Sequence, residues 1–113
     1  MADELWRAFD LAGEIAEREK SGRPYHEFLR VPALSCGIYS LPAGATDLQA
    51  PHDEDEVYYV VQGRGRVKVG DVDRVVGPGT ILYVQASSEH SFFEISEDIT
   101  LLVFFASGGP SSE

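Results

Sequence analysis

Near Pro24 the spacing of apolar positions along the chain changes. Before it, Leu5, Ala8, Phe9, Ala12 and Ile15 recur at three- and four-residue steps, the spacing that gathers side chains on one face of a helix. The pattern predicts an amphipathic helix over residues 3–20, with Asp3 as N-cap and Gly22 just past the end. Glu4, Arg7, Glu14, Glu17 and Arg18 form its solvated side, and Trp6 reads as a packing anchor.

Beyond Pro24, short apolar runs alternate with Gly, Pro, Asp and Ser, the rhythm of an antiparallel β protein. Strands are predicted at residues 27–30, 35–41, 45–52, 56–62, 65–69, 73–76, 81–84, 90–95 and 100–105. Turns are predicted at 42–44, 53–55, 63–64, 70–71, 77–79, 85–89 and 96–98, and a sandwich or barrel is the expected class. The final SGGPSSE has nothing to bury and reads as frayed.

Length and composition narrow the class further. A chain of 113 residues with 43% hydrophobic content is one domain with a core, which excludes a disordered protein. Nineteen acids against nine Lys and Arg give a net charge of -10, an acidic surface that repels nucleic acid and anionic lipid, so neither is expected as a partner. Cys36 has no cysteine to pair with and no nearby cation, and is expected to be a small core residue. No run approaches the ~18 apolar residues of a membrane span, and no signal-peptide pattern is present. A soluble, cytoplasmic protein is the expectation.

The chemistry concentrates in HDEDEVYYVVQG, residues 52–63, where a histidine stands beside several carboxylates. If Asp53 to Asp55 turn the chain, His52 ends one strand and Glu56 begins the next. Alternation then places Glu56, Tyr58, Val60 and Gln62 on one face and Tyr59 and Val61 on the other, and His90 shares a face with Phe92 and Glu94. His52, Glu56 and His90 together would make a two-histidine, one-carboxylate set, the ligand class of non-haem Fe(II) enzymes, open to Fe, Mn, Ni or Zn. On spacing alone the alternative stands beside it, that both histidines are ordinary turn-flanking polar residues and Glu56 a surface acid. His26 reads as a surface or edge residue, and Arg64 and Arg66 as rim charges of a hairpin. No nucleophile elbow, phosphate-binding glycine loop or zinc knuckle is present.

PAGATDLQAPHDEDEVYYVVQG and GPGTILYVQASSEHSFFE together resemble the two motifs of the cupin superfamily, over about residues 44–94. The first motif runs glycine, five residues, His, one residue, His, three or four residues, Glu, six residues, glycine. His52, Glu56 and Gly63 fit, while Ala50 stands in place of the first histidine. In the second motif Gly79 and His90 match, and Gln85, Ser87 and Glu94 replace a proline, a glycine and an asparagine.

The resemblance implies an all-β double-stranded β-helix, or jelly-roll barrel, with a short N-terminal helix: helix within 1–22, barrel domain 24–107, tail 108–113. It implies that His52, Glu56 and His90 converge on one divalent metal ion, with Tyr58 as proton donor and Tyr58 or Glu94 in support. Glu54 could stand in for the missing histidine if its turn folds inward. The implied function is a small metal-binding cupin, a homodimer, acting on a small polar molecule as a non-haem, dioxygenase-like enzyme. A non-catalytic, metal-free ligand-binding or sensory module is the alternative.

Overall fold

The computed structural model describes residues 5–47 and 53–106. It contains one helix and six strands: α1 (Leu11–Ser21), β1 (Tyr25–Val31), β2 (Leu34–Leu41), β3 (Glu56–Val69), β4 (Val72–Val76), β5 (Ile81–Val84) and β6 (His90–Phe105). All pairings are antiparallel, in the order β1-β2-β6-β3-β4, with β5 also pairing on β3.

Two long strands make this a jelly-roll barrel. Residues predicted as separate strands on either side of Gly63 form the single strand β3, and those on either side of 96–98 form β6, so the turns expected at 63–64 and 96–98 are absent. The ladder between β3 and β6 instead slips its register at Val60/Gln62, Gln62/Arg64 and Arg64/Arg66. Such irregularities bend a strand without ending it. The first half of β3 joins β5 and the second half of β6 joins β2 and β1, forming one layer; the remaining halves and β4 form the other. Glycine was read as punctuation, yet Gly63, at φ 96°, supplies a crease.

The core lies between the layers, where Tyr58, Val60, Leu101 and Val103 meet Val67, Val76, Phe92 and Ile95. Cys36 is buried and unpaired, as expected of a small core residue.

The helix is shorter than predicted. Asp10, in extended conformation, accepts from the Gly13 amide at 3.1 Å and starts the helix there, while Gly22 at φ 73° ends it as expected. Residues ahead of Asp10 are non-helical, and Phe9 packs on Phe28 with ring centroids 4.9 Å apart. Trp6 is 78% exposed and anchors nothing among the described residues. Glu14 ties the helix to β1 through His26 at 3.0 Å, which places His26 at a helix–sheet contact. Of the strand predicted at 45–52, residues 45–47 are not strand, and the rest, with His52, lies outside the described residues. No helix among the described residues is long and apolar enough to cross a membrane.

Candidate functional site

Strand β3 opens with Glu56, and its alternation turns Glu56, Tyr58 and Val60 inward, each no more than 1% exposed. Strand β6 opens with His90, also inward, in the other layer. The crease brings these strand starts together: His90 Nε2 lies 3.1 Å from Glu56 Oε1, and the Tyr58 hydroxyl donates to Glu56 Oε2 at 2.9 Å while standing 3.1 Å from His90 Nε2.

The tautomer follows from the other side of the ring. His90 Nδ1 is 2.9 Å from the Ser88 carbonyl oxygen, which only accepts, so Nδ1 carries a hydrogen. Nε2 and Oε1 then face each other with one proton between them, because two lone pairs at that distance would repel. The hydrogen bond to Glu56 raises the His90 pKa above its ordinary value, against burial and with help from the Ser88 carbonyl. A carboxylate and an imidazole, held dry and oriented by neighbours, are the donor types a divalent ion takes.

Glu56, Tyr58 and His90 are therefore together, and His52 lies outside the described residues. Among the described residues, no three His, Cys, Asp or Glu side chains come together in a way that could hold a metal ion. Glu94 does not face the cluster: at φ 47° it breaks the alternation of β6, so Phe92 and Ile95 are buried and Glu94 is exposed.

Asp47 escaped the sequence reading. It is 3% exposed and accepts from the Tyr39 hydroxyl at 2.8 Å and the Phe92 amide at 3.0 Å, fastening the segment after β2 to β6. Its charge also favours protonated His90. It falls within the strand predicted at 45–52, which residues 45–47 do not form, and no motif marks it.

Beside the cluster a cavity of about 360 Å³ opens, and Tyr58 belongs to both. Tyr25, Tyr39, Phe105 and Val103 make its walls with Ser35, and Glu27, Arg30 and Glu54 its polar lining. Glu54 is half-buried at this lining. Arg30 is held by Glu27 through two bonds, at 3.0 and 2.8 Å. The volume is at the small end of ligand cavities, and the aromatic walls with few polar groups match their usual make-up. Tyr25 and Tyr39 were also missed: Tyr25 lies ahead of the strand predicted at 27–30, and no motif marks Tyr39 within 35–41.

Residues 37–105 match a family model described as the cupin domain. An uncharacterized protein of Streptomyces coelicolor is 45% identical over 100 residues, covering 88% of this chain and 95% of its own. Among solved structures, the Cnp3 cupin domain of Schizosaccharomyces pombe aligns with TM-score 0.67 at 17% identity, over 74% of this chain and 63% of that one. The DMSP lyase DddQ of Ruegeria pomeroyi aligns with TM-score 0.67 at 16% identity, over 79% of this chain and 50% of that one. The chain thus spans less than two thirds of either structure, and at these identities the likeness is one of fold.

Proposed function

The chain belongs to the cupin family, and from that premise we propose that it is a small metal-binding cupin whose barrel cavity takes a small polar molecule. Glu56, His90 and His52 are the residues that would hold one divalent ion, Fe, Mn, Ni or Zn. The observation that supports this reading is the approach of His90 Nε2 to Glu56 Oε1, at 3.1 Å and both 1% exposed, with Nδ1 already committed to a carbonyl. A bound divalent ion supplies Lewis acidity toward an oxygen of the bound molecule. Tyr58, shared by cluster and cavity, holds a proton at its hydroxyl and is placed to hand it to a ligand. The enzyme form of the proposal is non-haem, dioxygenase-like chemistry, in a cytoplasmic homodimer.

A metal-free binding module is the second reading, and a specific observation favours it: Ala50 stands where the family pattern has a histidine, and the Tyr58 hydroxyl already donates to Glu56.

Elemental analysis and thermal shift separate the two. On the first reading, Mn, Fe, Ni or Zn at a hundredfold excess over Kd stabilises the fold by about 2.7 kcal/mol, and acidification through the histidine range removes the gain. His52→Ala, Glu56→Ala and His90→Ala each abolish most of it, His26→Ala leaves it, and Ala50→His enlarges it. Protein free of metal and unshifted by all four ions sinks the metal reading.

A further inference from the structure

The cavity wall carries a polar group that neither the Glu56–His90 pair nor the core employs. Tyr25 Oη is buried with no hydrogen-bond partner, and it is the one side-chain atom so placed among the described residues. Buried polar atoms are nearly always paired, so an orphan at a cavity calls for an explanation.

Two aromatic rings and a glycine surround this phenol. Tyr25 meets Tyr39 and Phe105 edge-on, with centroids 6.4 and 6.3 Å apart. Its phenol lies across Gly37, where any Cβ would overlap Cζ and Oη. Gly37 pairs with Glu27 and Tyr25 pairs with Tyr39, so the ring reaches diagonally over β2 along the cavity floor. Burial, and then the charge of Glu27, push the phenol pKa well above its ordinary value, so it keeps its proton and stays a donor.

The surroundings define what that donor would meet. Tyr39, Tyr58, Phe105 and Val103 favour a ring or similarly compact apolar body. Glu27 and Glu54 line the cavity, the one cation among its described lining residues, Arg30, is engaged by Glu27, and the chain is acidic overall, so an anionic ligand is disfavoured. We infer that Tyr25 reads the ligand: tilting off Gly37, its hydroxyl donates to the carbonyl oxygen of a small, neutral, ring-bodied compound. This deepens the small-molecule reading of the barrel and does not depend on the metal.

Acetophenone and ethylbenzene, the same skeleton with and without the carbonyl oxygen, test it by titration into the full chain and its Tyr25→Phe variant, followed by amide NMR shifts. Wild type binds acetophenone about tenfold more tightly than ethylbenzene, the worth of one added hydrogen bond. In Tyr25→Phe the preference is lost and turns toward ethylbenzene, because the carbonyl is then buried unpaired; ethylbenzene binding is unchanged, and the unliganded variant melts no lower than wild type, since no partner is lost. Preference for acetophenone that survives Tyr25→Phe, with shifts still in the barrel, overturns the role of Tyr25 while the cavity reading stands. A variant that melts several degrees lower overturns it too, by showing a structural partner for the hydroxyl. Absence of saturable shifts at the cavity with either compound overturns both inference and cavity reading.

Discussion

Ser87, at φ 66°, and Glu94, at φ 47°, occupy the left-handed region without being glycine. They stand where the family pattern carries a glycine and an asparagine, the residues that adopt this conformation with least strain. The motif at these positions thus encodes backbone shape, while Glu56 and His90 carry its chemistry. Both side chains are exposed, so Ser87→Gly and Glu94→Asn should each stabilise by roughly 0.5 kcal/mol, read as a small rise in melting temperature. A fall would mean that the serine or glutamate makes a contact worth more than the strain. Glu94 also marks where residue-level reading of the sequence ran out. Strict alternation put Glu56, Tyr58 and His90 inward, as they are, because each lies at the regular start of its strand. The same rule failed four residues past His90, where the backbone changes hand, and it had no purchase on Asp47, which sits outside any strand.

Elements were legible where apolar periodicity and turn chemistry agreed, and their boundaries failed where a glycine had two uses. Gly79, at φ 90°, closes the turn between β4 and β5 as its GPG context predicts, with the Thr80 amide donating to Gly77 O at 3.0 Å. Gly63 has much the same φ but lies inside β3, where an added Cβ would overlap the backbone of Asp98 and Ile99 of β6. Gly63→Ala therefore meets both strain and overlap and should cost roughly 3 kcal/mol. Gly44→Ala is the control: at φ 82° with nothing within 4 Å, it meets strain alone and should cost about 1 kcal/mol. Chemical denaturation of the two variants measures the difference, and equal costs would show that the close approach at the crease is not what requires glycine.

At the scale of the whole molecule, one face of the barrel is left uncovered among the described residues. Residues paired across β5, β3 and β6 share the outer side, and there Ile81 and Tyr83 are 69% and 63% exposed, with Tyr59 and Phe104 beside them. The N-terminal segment shields β1 and β2, not this region, and Trp6 is bare as well. Apolar surface on this scale is the mark of an interface, so the homodimer proposed above should bury it. Light scattering at micromolar concentration should then give twice 12.4 kDa, and Tyr83→Lys with Ile81→Lys should return the mass to a single 12.4 kDa chain. A wild-type chain that stays at 12.4 kDa into the millimolar range ends the proposal.

The run of β3 and β6 through both layers bears on how such a barrel is reached at all. Their ladder begins at Val69 and His90, the pair nearest in sequence, and each later rung up to Glu56 and Phe105 encloses the one before. Closing a loop costs entropy that grows only slowly with its length, and once an inner rung exists the next is already nearly aligned. The chain can thus assemble distant contacts as a zipper that starts locally at the β3–β4 hairpin, easing the search that slows proteins built on remote pairings. The same two strands run through both layers, so Glu56 at the outer end of the ladder and His90 at its inner end reach the site between the layers from one pair of strands.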